Sequence, residues 1–294
     1  MKKYRKLLSL ILTSMVIVLI VAVIMGNKRN EASSEGEWTL NWSDEFDGNV
    51  IDTDKWGFDT GNGFYSGDQW VRGWGNEELE YYSEENASVE EGHLIIRARN
   101  DIEKTDEHGT YVFTSSKLKT LGLFSQKFGR FESRMKLPKG KGLWPAFWML
   151  PRDEVYGGWA ASGEIDIMEN GGSNPGVIGG AIHYGSVWPE NTYSNKEFRF
   201  PEGEDITDFH TYALEWEPGE IRWYVDGENY LTLNKWFTKF PESEIISEFP
   251  APFDQEFYII LNLAVGGWYD GDPEDDAIFP GEMVVDYVRV YESR

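Results

Sequence analysis

Three carboxylates fall within six residues in Gly163-Glu164-Ile165-Asp166-Ile167-Met168-Glu169-Asn170. Two carboxylates flanking a bond are the working parts of glycoside hydrolysis: one is protonated and acts as acid, the other is ionised and acts as nucleophile or base. A third acid between them helps to hold the two pKa values apart, because like charges at close range cannot all ionise freely. The same triplet on the outer strand of an acidic protein can also be nothing more than a solvated face. The spacing carries more information. Acidic and apolar residues alternate from Glu164 to Ile167, the period of a half-buried strand. Glu164 and Asp166 would then share one face, with Ile165 and Ile167 on the other. A regular pleat would send Glu169 to the core side, where an unpaired carboxylate costs roughly several kcal/mol. A β-bulge at Ile167-Met168 would return it to the acidic face. The expectation is three acids on one face, with a bulge between the second and the third.

Such acids need walls that bind sugar. Leu143-Trp144-Pro145-Ala146-Phe147-Trp148-Met149-Leu150 reads as a strand with Trp144, Ala146 and Trp148 on one face. Two indoles with a small residue between them make a slot for a sugar ring, while Phe147 and Met149 face the core; burial of both faces is the alternative. Trp159 lies shortly before the acids, and His183-Tyr184 shortly after, on a neighbouring strand. A lone histidine is more often structural, so His183 is assigned to substrate contact at most. Gly73 to Tyr82 forms a candidate lip, in which Asn76 can both donate to and accept from hydroxyls; an ordinary surface loop is the alternative. Gly266-Gly267-Trp268 can present another ring. Asp270, Asp272, Glu274, Asp275 and Asp276 lack the ligand order of an EF-hand and read as a solvated turn. The chain has no nucleophile elbow, no H-E-x-x-H, no P-loop and no dinucleotide fingerprint. Four histidines and no cysteine exclude disulfides and thiolate chemistry and argue against a transition-metal centre.

Composition by itself is weaker evidence and favours aromatic residues that simply fill a large β core. Thirteen Trp, 15 Tyr and 17 Phe exceed what a core usually needs and suggest ring platforms, although a large β core can also absorb them. Net charge is −24. Residues 1–36 contribute +4, leaving −28 on the remainder, which argues against nucleic acid and anionic polymers as partners. Lys2, Lys3, Arg5 and Lys6 precede an uncharged run from Leu7 to Gly26, about 30 Å long as a helix. A secretory signal has a shorter apolar region and a small-residue cleavage site, which Ile24-Met25-Gly26 does not provide. Residues 1–26 are therefore expected to be a signal anchor or a signal peptide, with residues 27–36 as a short tether. Either places the body outside the cell, secreted or held on the outer membrane face, with the membrane met only through this segment.

The rest, residues 37–294, shows no repeat and no break. Strand signals dominate: Leu94 to Arg99, Gly129 to Leu137, Ile221 to Val225, a hairpin turn at Asp226-Gly227 into Tyr230 to Leu233, Phe257 to Val265 with Asn262 inside it, and Met283 to Tyr291. One short helical turn is expected at Asn234 to Phe240. This pattern predicts an all-β protein, a curved two-sheet jelly-roll sandwich with a substrate cleft on the concave face.

With these residues in hand, the chain resembles glycoside hydrolase family 16, of the bacterial laminarinase (endo-β-1,3-glucanase) type. The resemblance covers Trp38 to Tyr291. It rests on Trp42-Ser43-Asp44-Glu45-Phe46, Gly73 to Tyr82, Gly129 to Arg134, Gly142 to Leu150, the acidic strand, Asp208 to Tyr212, Leu261 to Gly267, and Val285 to Tyr291. It implies hydrolysis with retention, with Glu164 as nucleophile, Glu169 as general acid/base and Asp166 tuning the pair, the two glutamates about 5–5.5 Å apart. Laminarinases share the extra residue of E-x-D-x-x-E, whereas enzymes specific for mixed-linkage 1,3-1,4-glucan tend to have a regular E-x-D-x-E. The resemblance also implies a structural Ca²⁺ at Glu45, Gly92 and Asp286, and no cofactor for catalysis. Glu80 departs from the pattern, where many relatives carry Gln, as does Ala160-Ala161, where Pro often follows the Trp. The expected protein is a monomeric endo-β-1,3-glucanase. The alternatives are the same fold acting on mixed-linkage glucan or another glycan, and a non-catalytic β-glucan-binding protein.

Overall fold

The computed structural model describes residues 38–240, 246–274 and 279–294. The predicted anchor and tether lie outside the described residues. In chain order the strands are β1 (Trp38–Asp44), β2 (Gly57–Asp59), β3 (Gly63–Ser66), β4 (Gln69–Arg72), β5 (Glu80–Tyr82), β6 (Ala87–Glu90), β7 (His93–Ala98), β8 (Lys104–Asp106), β9 (Gly109–Tyr111), β10 (Phe113–Ser115) and β11 (Lys117–Lys119). They continue with β12 (Gly129–Lys136), β13 (Leu143–Pro151), β14 (Glu164–Glu169), β15 (Val177–Tyr184), β16 (Thr192–Arg199), β17 (His210–Glu217), β18 (Glu220–Val225), β19 (Glu228–Leu233), β20 (Phe257–Val265) and β21 (Gly281–Ser293).

Two sheets hold most of them. One runs β19-β18-β17-β12-β21-β7-β6, with β1 also paired to β21; the other runs β16-β15-β14-β13-β20-β11-β2. Alternation in the sequence sets which face each strand buries. In β12, Phe131, Ser133 and Met135 are buried while Arg130, Glu132 and Arg134 are half-buried. The inner faces meet in one core, where Phe131, Leu214, Trp216 and Val288 of the first sheet join Phe147, Ile165, Ile182 and Leu261 of the second. Each such side chain contributes about 2 kcal/mol by leaving water. This is the two-sheet jelly-roll sandwich expected from the strand pattern. The predicted hairpin at Asp226-Gly227 forms, with φ of +48° and +81°, the left-handed pair that a tight two-residue turn requires.

The helical turn expected at Asn234 to Phe240 does not form. Trp236 and Thr238 are buried while Phe237 is exposed, a period of two. The Trp236 indole donates to the Pro250 carbonyl at 2.8 Å and the Thr238 hydroxyl to the Ala161 carbonyl at 2.6 Å. Tertiary contacts hold this stretch extended, and Thr238 and Lys239 form single bridges to Gly185 and Ile246.

Candidate active site

The bulge predicted in the acidic strand is present. Across β13, Phe147 pairs with Met168 and Trp148 with Asp166, so Ile167 is the extra residue. Across β15, Asp166 pairs with Ala181 and Glu169 with Gly179, three steps on one strand against two on the other. Ile167 and Met168 both enter the core, and Glu169 returns to the face of Glu164 and Asp166. Directly opposed residues share a face. The outer face of the second sheet therefore carries a row of Lys117, Asn262, Ala146, Glu169 and Gly179, with Trp148 beside Asp166 and His183 beside Glu164.

Each glutamate receives one indole N–H. Trp159 donates to Glu164 Oε2 at 2.8 Å, and Trp144 to Glu169 Oε1 at 3.0 Å. His183 Nε2 stands 3.4 Å from Asp166 Oδ2 and 3.8 Å from Glu164 Oε1. Burial raises Glu164 to about 7, against the pull of the Trp159 N–H and the Lys117 charge. Burial likewise raises Glu169 to about 7, and the Glu164 charge adds to it, while the Trp144 N–H and His183 oppose. Burial, then the charges of Glu164 and Glu169, raise Asp166 well above the usual carboxylate range. Burial lowers His183. Each glutamate has one indole donor, and their mutual repulsion acts on both alike; the difference is the basic neighbour, the Lys117 charge at Glu164 against an imidazole at Glu169 that burial itself pushes towards neutrality. One negative charge on Glu164, with protons on Glu169 and Asp166, is the arrangement these causes favour.

Rings flank the acids on both sides. Trp144 stacks on Tyr269, centroids 5.1 Å apart, and Trp268 is 66% exposed beside them. On the other side, Trp159, His183 and Tyr193 follow one another at 5.7 and 5.6 Å. Trp144 and Trp148 are half-buried and Ala146 is buried between them, with Phe147 and Met149 in the core, so the two faces of β13 divide as predicted. The Lys117 ammonium lies 4.3 Å from the Trp74 ring and 5.0 Å from the Trp148 ring.

Asn76 differs from its expected role. Its amide donates inward to Glu78 Oε1 at 3.0 Å, and its backbone carbonyl accepts the Trp268 N–H at 3.0 Å. It joins the two lips of the site instead of offering that amide to the cleft. Gly267 makes this approach possible: its φ is +84°, and a Cβ there would come within 3.0 Å of the Asn76 carbonyl and 3.2 Å of the Trp144 ring.

Sequence reasoning missed Lys117, Tyr193 and Tyr269 as parts of this face. Lys117 gave no signal beyond its charge, but Tyr269 follows directly on Trp268. Asp270, read as part of a solvated turn, is instead buried. It accepts the Gly142 N–H at 2.7 Å and the Ser173 N–H at 3.1 Å, together with the Ser173 hydroxyl. Three donors offset the loss of water and tie three loops beside the Trp144–Tyr269 pair. Asp275 and Asp276 lie outside the described residues.

Among the described residues, two places bear on whether the chain could hold a cation. Glu164, Asp166 and His183 offer atoms within 4.8 Å of one another, but with Asp166 protonated they present a single anion. Glu45 follows β1 and Gly92 precedes β7, and these two strands pair with β21 on either side of Asp286. There Glu45 accepts from Arg289 at 2.7 and 3.0 Å, and Asp286 from Arg134 at 2.5 Å. The donors suit calcium, but they would hold it only with both arginines turned aside.

Comparison with known proteins agrees with this geometry. Residues 75–289 match the family described as Glycosyl hydrolases family 16. The chain is 45% identical over 264 residues to a glucan endo-1,3-beta-glucosidase A1 of Niallia circulans, an alignment covering 87% of this chain and 38% of that protein. It is 42% identical over 287 residues to a beta-glucanase of Rhodothermus marinus, covering 93% and 91%. The catalytic domain of an endo-1,3-beta-glucanase (laminarinase) from Thermotoga petrophila superimposes with a TM-score of 0.77 at 42% identity, over 87% of this chain and 98% of that one.

Proposed function

The chain belongs to glycosyl hydrolase family 16, and on that premise we propose that it is a retaining endo-β-1,3-glucanase acting on laminarin-type glucans. The observation that carries this is the bulge that brings two buried glutamates to one face, each with an indole N–H and with the Lys117 charge favouring the anion of Glu164. Glu164, ionised, attacks the anomeric carbon and forms a glycosyl ester, while Glu169 gives its proton to the departing glycosidic oxygen. Forming the ester removes the Glu164 charge that holds the Glu169 proton in place. Glu169, now an anion, then takes a proton from water as that water attacks the anomeric carbon, breaking its bond to Glu164 and freeing the carboxylate, and both residues return to their starting states. Asp166, neutral, keeps a third charge out of the site. Trp144 with Tyr269 on one side, and Trp159 with His183 and Tyr193 on the other, supply ring faces for the sugars. The bulged spacing supports β-1,3-glucan over mixed-linkage glucan, and the −28 body disfavours sulfated glycans.

The test is a panel of laminarin, lichenan, agarose and κ-carrageenan, with product sizes and anomeric configuration read by NMR. Laminarin should give β-anomers of short oligosaccharides first. Cleavage of lichenan alone would overturn the substrate, and laminarin binding without new reducing ends would favour a non-catalytic glucan-binding protein.

The proposal extends to two further points. The body works outside the cell behind an uncleaved anchor over residues 1–26; an exported chain beginning near Asn27 on N-terminal sequencing would exclude the anchor. A structural calcium would take Glu45, the Gly92 carbonyl and Asp286 as ligands once Arg289 and Arg134 turn aside. Added Ca²⁺ should then raise the melting temperature of EDTA-treated protein, and an unchanged value would dismiss the site.

A further inference from the structure

Behind the cleft wall lies a buried pair of acids that the reaction does not use. Glu78, just before β5, and Glu80 and Tyr82 on it fall two residues apart. Glu80 is fully buried, and Glu78 and Tyr82 are buried with it. A chain of hydrogen bonds ends on this pair, and its direction is forced. The Trp148 indole can only donate, so the oxygen of Asn262 must face it, at 2.7 Å. The Asn262 amide then donates to the Tyr82 oxygen at 2.9 Å, and the Tyr82 hydroxyl to Glu78 Oε2 at 2.9 Å. The Asn76 amide donates to Glu78 Oε1 at 3.0 Å. Both Glu78 oxygens therefore accept, which fits a carboxylate.

Glu80 follows two residues later, its side chain buried like that of Glu78. Its Oε2 accepts the Val265 N–H at 2.7 Å, while its Oε1 is buried without a partner among the described residues. Two adjacent buried anions would repel each other with little water to screen them. A proton on Glu80 Oε1, directed at Glu78, removes the repulsion and satisfies the orphaned oxygen in one step. Burial and the Glu78 charge act in that direction, holding Glu80 well above the usual carboxylate range. Facing groups do not change the balance. β10 presents Phe113, Thr114 and Ser115, β20 offers the Val265 N–H and Asn262, and Lys117 of β11 lies beyond Tyr82, 5.9 Å from its ring.

We propose that Glu80 keeps its proton in the working protein and donates it to Glu78, and that this carboxylic acid–carboxylate pair is a positioning device for the cleft. Through Tyr82 and Asn262 it orients Trp148, which sits opposite Asp166. Through Asn76 it fixes the lip that receives Trp268. A glutamine at position 80 would act the same way, its amide donating to Glu78 and its oxygen accepting from Val265. Glu80 is thus the acidic equivalent of that amide. The inference rests on the glucanase reading only in treating Trp148 as a wall of the substrate cleft.

Infrared difference spectra of the full chain at pH 7, with and without E80Q, test the proton directly and need no substrate. A protonated-acid C=O band should disappear with E80Q; loss of a carboxylate band instead would overturn the proposal. On laminarin, E80L, which cannot donate, should raise KM about tenfold, the order of one hydrogen bond to a charge, with kcat little changed. The conservative E80Q should recover the KM. E80Q impaired as severely as E80L would also overturn the proposal. Should E80L fail to fold, the infrared result and the E80Q KM still decide. Lack of laminarin cleavage by the unmodified chain counts against the glucanase reading alone.

Discussion

The sharpest consequence of the site geometry is that two tryptophan-to-phenylalanine changes should move opposite limbs of the pH–activity profile. Trp159 donates to Glu164 at 2.8 Å and Trp144 to Glu169 at 3.0 Å. Phenylalanine keeps a ring at each place and removes only the donor. A donor to a carboxylate favours the anion, so its loss raises the pKa of the acid it served. A hydrogen bond to a charged group is worth about 1.5–3 kcal/mol. Trp159 is 40% exposed, so water will take part of its place; about 1 kcal/mol remains, or roughly 0.7 pKa units at about 1.36 kcal/mol per unit. Glu164 must be ionised to attack, so Trp159→Phe should shift the acidic limb of kcat/KM upward by about that amount. Glu169 must be protonated to assist departure, so Trp144→Phe should shift the alkaline limb upward. The assay is initial-rate kcat/KM on laminarin across pH, with inhibitor-free buffers and protein integrity checked at each point. Because the two acids interact, the limbs report the pair, and the contrast between the variants is the decisive quantity. If Trp159→Phe moved the alkaline limb and Trp144→Phe the acidic one, the nucleophile and acid would have to be exchanged.

Three further outcomes are expected. Glu164→Gln or Glu169→Gln should leave the melting curve near that of the unmodified chain while lowering kcat on laminarin by about three orders of magnitude or more; near-normal turnover by either folded variant would rule out its role. Stability should depend on pH with a definite sign. Glu164 and Glu169 rise from 4.5 to about 7 on folding, so their contribution is complete below about 4.5 and is lost as pH climbs through about 7. Urea unfolding of the free protein should thus show a loss of a few kcal/mol between pH 5 and pH 8, reduced in Glu169→Gln. Gly267→Ala imposes a side chain at φ +84°, where its Cβ meets the Asn76 carbonyl and the Trp144 ring. It should cost about 1–3 kcal/mol in urea unfolding and raise KM by loosening the lip.

Much of this protein was determined by the sequence alone, because the relevant physics is local. The alternation in Gly129 to Leu137 and Ile221 to Val225 can satisfy both water and core only as strands, and Asp226-Gly227 can turn between them. The spacing of Glu164, Asp166 and Glu169 demanded a bulge, since a regular pleat would bury a lone carboxylate. Other features depend on partners far along the chain. Asn234 to Phe240 is extended because Ala161, Gly185 and Pro250 hold it so. Asp270 is buried because Gly142 and Ser173 bring it donors. Asn76 is held by Glu78 on its amide and by the Trp268 backbone N–H on its carbonyl. The surroundings of Glu164 and Glu169 likewise appear only in three dimensions. Two glutamates are chemically identical as letters; only the folded chain brings the Lys117 charge to bear on Glu164 and the imidazole of His183 on Glu169.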